Sequence, residues 1–199
     1  ETPLRCESVI SNELLSLETD STLQISLLDL PKSELSADLP RSDDLYTTRL
    51  YRLLVQETVR TPGAHPWAVV GGVYTFDRTG NDVEMLDRIA HIAKEAGAPF
   101  LAAASPCIAG CSSFGSRLDP DDWEGPAAHQ EEQQRWERLR QIEDASYLGL
   151  SLPRFLLCLP FVRETEAISA LGFEEMAGGP NHDDYCWGNP IFACLVLLG

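Results

Sequence analysis

The strongest constraint in the sequence is the run WAVVGGVYTF at 67–76, which is apolar at almost every position. A strand that alternates apolar and polar residues can keep one face in water. One that is apolar throughout reads as buried on both faces, the situation of a parallel sheet covered by helices. The next segment supplies such a helix. Leu86, Ile89, Ala90 and Ala93 share one face at helical spacing, and Asn81 stands at a capping position with Glu84 three residues later. Gly97 supplies a C-terminal stop, Pro99 lies just beyond, and PFLAAAS at 99–105 reads as a second short strand. The Gly71-Gly72 pair inside the first strand predicts a bulge or a close approach of the backbone.

The flanking chain extends this alternation. Residues 8–18 read as a helix, 22–30 as a strand stopped by Pro31, and a short helix follows from Ser33. Tyr46, Leu50, Leu53 and Leu54 form an apolar stripe that predicts a helix over 44–57, broken by the turn TPGAHP at 61–66. Residues 106–127, rich in Pro, Gly, Ser and Asp, read as a loop. Residues 128–145 read as a polar helix with Trp136, Leu139 and Ile142 as its narrow apolar stripe. Residues 153–160 read as a buried strand between prolines, 172–186 as irregular, and Trp187 to Leu198 as the start of a helix. The sum is β-α-β-α-β-α-β: a layered α/β domain with a largely parallel sheet flanked by helices. At 199 residues the chain is one ordinary domain, without an internal repeat.

Charge narrows the function. The net charge is −16, and the acid excess is spread over both halves. A field of this sign repels phosphate backbones and argues against nucleic acid. Hydrophobic content of 44% is that of a globular rather than a disordered chain. No uninterrupted apolar stretch is long enough for a membrane-spanning helix, and no leader peptide is visible. Residue 1 is Glu and the sequence is apolar through LVLLG at 195–199, which predicts a piece excised from a longer chain. The six cysteines, several inside apolar runs (Cys158 in RFLLCLP, Cys194 in IFACLVLL), read as buried free thiols in a reducing compartment.

Chemistry-bearing patterns are sparse. Neither GxGxxG nor a P-loop occurs, so nucleotide binding lacks its backbone cradle. Cys107 and Cys111 have CxxxC spacing, and His182, Asp183, Asp184 and Cys186 cluster, which could offer zinc ligands. Two loops distant in sequence would have to meet, and the spacing is not that of structural zinc. A triad of Ser105 or Ser112 with His182 and an Asp lacks a GxSxG elbow. His65, His91 and His129 have no ligand partner one helical turn on, and structural roles suit them better. The residues alone give an acidic α/β domain without an active site. A small-molecule-binding or zinc-dependent α/β enzyme is the competing class.

Four separate motifs, in order, carry a resemblance. The first is Thr61-Pro62-Gly63, the apolar strand 67–76, Asp82-Val83-Glu84-Met85-Leu86 and Gly97-Ala98-Pro99-Phe100-Leu101-Ala102-Ala103-Ala104. The second is WERLRQIEDASYLGLSLPR at 136–154, with Trp136, Glu143, Asp144, Pro153 and Arg154. The third is Phe173-Glu174-Glu175 with His182-Asp183-Asp184-Tyr185-Cys186-Trp187-Gly188-Asn189, and the fourth is TLQISLLDLPKSEL at 22–35. Over roughly 22–199 the sequence resembles the large subunit of the type VI secretion contractile sheath, the TssC/VipB/ImpC/EvpB family. Asp184, where the family often has a basic residue, and the loop 110–127 depart from the pattern.

That resemblance implies a sheath-type α/β domain over 22–199 preceded by an N-terminal helical segment at 1–21. It implies a structural, cytoplasmic, non-enzymatic subunit without cofactor or metal. The implied partners are a small sheath subunit, further copies of itself in a helical sheath, the inner tube protein, the baseplate and an AAA+ recycling ATPase, with neither nucleic acid nor membrane insertion. The motif residues Asp82, Pro99, Phe100, Trp136, Glu143, Asp144, Pro153, Arg154, Glu174, Glu175, His182, Trp187 and Asn189 would then be structural. Among them His182, Trp187 and Asn189 are expected to fix a loop-to-helix junction. The family's N-terminal arm and C-terminal part, expected to interlock neighbours by strand exchange, have no counterpart in the sequence.

Overall fold

In a computed structural model, residues 24–39, 44–111, 113, 130–158 and 185–198 are described. The predicted helix 8–18, most of the loop 106–127 and residues 172–184 lie outside them.

Helix α1 (Lys32–Asp38) is followed by a 3-10 turn at Leu45–Thr47 and helix α2 (Arg49–Tyr51). Asp38 accepts hydrogen bonds from the Arg49 and Leu50 amides at 2.8 and 2.9 Å, so one helix's last residue caps the next. α2 runs on as a π-helix over Arg52–Val59, where the Arg60 amide reaches back five residues to the Val55 carbonyl. The predicted helix over 44–57 is therefore present but wound in three different ways.

Strand β1 (Val70–Phe76), helix α3 (Gly80–Ala96) and strand β2 (Phe100–Ala104) form the predicted β-α-β unit, with the strands parallel. Gly97 closes α3 in the left-handed conformation at φ 69°, a position where any Cβ would be strained. The start of α3 corrects the expected capping box. Thr79, not Asn81, stands at the N-cap and makes no side-chain cap bond; the Asp82 carboxylate instead accepts from the Asp77 amide at 2.8 Å. The register of β1 against β2 slips between Gly72 and Thr75, as the glycine pair predicts.

Beyond β2 come a single-turn helix α4 (Pro106–Ala109), the polar helix α5 (Gln130–Gln141) and a 3-10 segment at Glu143–Tyr147. Strand β3 (Leu148–Ser151) then pairs parallel to β2, giving the order β1-β2-β3. Sequence periodicity misses β3 because LGLS is four residues long and half of it is small and polar. Strand β4 (Phe155–Cys158) pairs antiparallel with β5 (Cys186–Gly188), and helix α6 (Pro190–Leu198) closes the described chain. The α/β layering with a parallel main sheet is as predicted.

Several strand expectations are corrected. Among the described residues β1 stands at the edge of its sheet and is not buried on both faces: Val73 is 57% exposed. β4 is half-buried and belongs to a separate antiparallel pair. Residues 24–30 carry strand-like residues but no ladder; the segment is held by the Tyr74 hydroxyl donating to the Leu30 carbonyl. A strand needs a neighbouring edge to satisfy its amides, and local propensity says nothing about one. Among the described cysteines, Cys107, Cys111, Cys158 and Cys194 are free thiols, though only Cys111 is buried, and Cys186 is disulfide-bonded, against the expectation of free thiols; Cys6 lies outside the described residues.

Side-chain alternation gives the sheet two unlike faces. Phe76, Phe100 and Ala102 pack with Leu86, Ile89 and Ile92 of α3 into the main core. On the opposite face, Gly71 lies under Leu195 of α6, and the Ser151 hydroxyl is 3.2 Å from the Cys194 sulfur.

Candidate functional site

The family-motif residues gather at three junctions between elements. The first lies where β1 ends and α3 begins. Asp82 is only 7% exposed, and its carboxylate accepts from both the Asp77 amide and the Lys32 ammonium, each at 2.8 Å. Lys32 also donates to the Thr75 carbonyl at 2.8 Å and sits 4.7 Å above the Phe76 ring. A buried carboxylate is tolerated only when its lone pairs and charge are met, and here one lysine and one amide meet them. The contact pins α1 to the carboxyl end of β1. Pro99 and Phe100 lie at the other end of the unit, where the Pro99 carbonyl accepts the Val70 amide at 2.9 Å. The Phe100 ring meets Phe76 edge-on at 6.4 Å.

The second junction joins α3 to the segment leading into β3. Asp144 accepts from Lys94 at 2.7 Å and pairs with His91 Nδ1 at 3.0 Å, while Glu143 lies 3.3 Å from the same lysine. Lys94 first and His91 second hold the Asp144 carboxyl below its ordinary range, against the opposing effect of burial. The same pairing, Asp144 before Glu143, raises the Lys94 ammonium. Trp136, half-buried on α5, packs against the main core nearby.

The third junction is the β4–β5 pair. Pro153, preceded by a cis peptide bond, leads into Arg154, whose guanidinium lies 5.7 Å from the Trp187 ring centroid. Trp187 stands opposite Leu156 in the ladder, and the Asn189 side chain accepts from the Ile191 amide at 3.0 Å, meeting one open donor of the α6 start. Glu174, Glu175 and His182 lie outside the described residues, so the expected role of His182 at this junction has no described geometry.

Lys32, His91 and Lys94 are the partners that the motif residues need; of these the sequence marked only His91, as a histidine in a structural role. Lys32 stands in the quoted motif PKSEL, which offered a signal. His91 and Lys94 share a helix face three residues apart, but nothing local points to a carboxylate some fifty residues on.

A cavity of about 260 Å³ is lined by residues including Leu86, Ile108, Trp136, Leu139, Arg140 and Leu148, none of them a nucleophile or carboxylate. Ser105, drafted for a triad, accepts from the Cys107 amide at 3.3 Å as a helix cap. Burial pushes the Cys111 thiol up, which disfavours the thiolate that metal or substrate would need. No group of three His, Cys, Asp or Glu side chains among the described residues could hold a metal ion, and no described helix is long and apolar enough to cross a membrane. What the junctions do is lock elements to one another.

Comparison with known proteins agrees with a scaffold of this kind. The sequence model of the family VipB, described as EvpB/VC_A0108, tail sheath N-terminal domain, matches residues 11–198. The chain is 33% identical over 183 residues to a curated relative from Pseudomonas aeruginosa (strain PAO1), named type VI secretion system sheath protein TssC1. The alignment covers 91% of this chain but 36% of that relative, so the chain spans about a third of the relative's length. This is a family of structural sheath proteins rather than of enzymes. On a match that runs across nearly its whole length, the chain belongs to the VipB/EvpB family of type VI secretion tail sheath proteins, matching the family's N-terminal domain.

Proposed function

We propose that the chain acts as part of the large subunit of a cytoplasmic contractile sheath. Residues 22–199 serve as a sheath-type α/β body, with 1–21 as a helical lead-in. It assembles with a small sheath subunit and with further copies of itself into a helical tube around an inner tube protein, seated on a baseplate. Contraction drives the inner tube outward, and an AAA+ ATPase recycles the contracted form. The work is structural: energy resides in the difference between two packings of subunits, which requires bodies that move as units past bistable interfaces.

The observation that carries this reading is the family match across 11–198, and the three locked junctions support it. Lys32–Asp82 and Lys94–Asp144 tie elements distant in sequence to one another at 2.8 and 2.7 Å, and Asn189 caps the start of α6 at 3.0 Å, as a body transmitting force requires. The motif residues Asp82, Pro99, Phe100, Trp136, Glu143, Asp144, Pro153, Arg154, Trp187 and Asn189 take structural roles in that body, and Glu174, Glu175 and His182 are assigned with them. Co-expression of the complete polypeptide with its small-subunit partner, followed by electron microscopy, tests the reading. Tubes are expected; the absence of tubes or complexes, together with turnover of a small molecule, would overturn it.

A further inference from the structure

Among the described residues, only part of the second face of the β1–β3 sheet is covered. α6 lies on it through Ile191, Cys194 and Leu195, the last seated over Gly71 and Cys194 beside Ser151. The opposite side of this helix carries Ala193, Val196 and Leu197. It has no polar residue at all, yet Ala193 is exposed, Val196 is 38% exposed and Leu197 85%. A helix apolar all round belongs in an interior, not at a surface. The bare area continues onto the sheet: Val73 lies in the β1 bulge, shares the exposed side of the strand's alternating burial pattern with Gly71 and Thr75, and is 57% exposed. One helix about 10 Å across cannot cover three strands spaced about 4.8 Å apart with their side chains.

We propose that this face, Val73 together with Ala193, Val196 and Leu197, is a docking surface for the remainder of the sheath polypeptide itself. Two facts select that occupant. The family domain matched here is by description the N-terminal one, and the alignment covers 36% of the relative, so most of that relative's length lies outside the aligned region. The patch is also small. A freely diffusing partner needs about 800 Å² on each side for a stable interface, more than four aliphatic side chains provide. A domain on the same polypeptide arrives at high effective concentration, and a modest apolar patch then suffices to hold it.

The inference rests on membership of the sheath family, and its test is separate from tube formation. In the complete sheath polypeptide, kept free of the small subunit, Val73→Cys and Leu197→Cys are compared with Val59→Cys. Val59 is a remote control of similar openness, 49% exposed. Maleimide labelling is followed peptide by peptide by mass spectrometry. The expected result is labelling at positions 73 and 197 at least tenfold slower than at 59, independent of protein concentration. Labelling as fast as the control would overturn the proposal. So would protection that appears only at high concentration, which assigns the face to a second copy, or only on adding the small subunit. If the sheath reading itself fails, tubes do not form with the small subunit whatever the labelling pattern.

Discussion

The two faces of the β1–β3 sheet are built from the same strands but to different standards. On one, Phe76, Phe100 and the α3 residues Leu86, Ile89 and Ile92 are all at most 4% exposed. On the other, the strands present Gly71, Val73, Leu101, Ala103, Gly149 and Ser151, mostly small residues, to one nine-residue helix that keeps a bare apolar side. Large interlocking side chains make a core that stands on its own. Small ones let an element lie close without being held by it. The difference marks the first face as the body of the domain and the second as the layer where further sheath protein is expected to attach.

The contrast can be broken by mutation, and the first face is where the largest effect is expected. Phe76→Ala removes a fully buried ring that packs edge-on against Tyr74 and Phe100 and lies under Lys32. It should destabilise by about 3–5 kcal/mol, read from chemical denaturation, which for a single domain is a large part of the total. The adjacent glycines give a sharper comparison because they differ mainly in which face they serve. A Cβ on Gly72 would sit 2.5 Å from the Phe100 ring and 2.8 Å from the Tyr74 ring, both rigid. Gly72→Ala should cost about 1–3 kcal/mol. A Cβ on Gly71 would meet the Leu195 terminal methyl carbons, 2.6 Å at the nearest, and those can turn away. Gly71→Ala should cost less than Gly72→Ala; equal losses would mean the second face is packed as tightly as the first.

The Asp144 clamp is expected to contribute less than these core positions, because its partners are partly open to solvent. Its carboxyl is held below the ordinary value of 3.8, so its contribution is fully present above that value and is lost as pH falls through the depressed folded-state pKa. The stability gap between wild type and Asp144→Asn should therefore be present at neutral pH and close in acid; a gap that opened in acid would assign the clamp to other groups. Val73→Asp should have the smallest effect in the 199-residue chain, within about 0.5 kcal/mol, since its side chain already faces solvent there. Thermal melts of the purified chain check this, and a loss comparable to Gly72→Ala would show that the second face is closed.

The legible parts of the fold are those whose signal is local. The β1-α3-β2 unit announced itself through the apolar run at 67–76, the 3.6-residue spacing of Leu86, Ile89 and Ala93, and the left-handed stop at Gly97. The bulge at Gly71-Gly72 was legible for the same reason. The segment 24–30 was misread because ISLL has strand residues, but a ladder depends on an edge contributed from elsewhere. β3 escaped notice because its four residues include Gly149 and Ser151, which suit a closely covered face but leave no apolar run. Most motif residues stood out through family resemblance; of their partners, Lys32 lay inside a quoted motif and His91 was read as structural, while nothing marked Lys94. Lys94 and Asp144 are some fifty residues apart, and their meeting is a product of the crossover, which no spacing rule encodes.

The most direct test of the two-faced sheet is amide hydrogen exchange, measured peptide by peptide on the 199-residue chain and on the complete sheath polypeptide. The α3 amides are expected to exchange slowly in both, while the α6 amides exchange readily in the 199-residue chain and become protected in the complete polypeptide. If α6 is as protected as α3 already in the 199-residue chain, the second face is a finished core and the distinction drawn between the two faces is wrong.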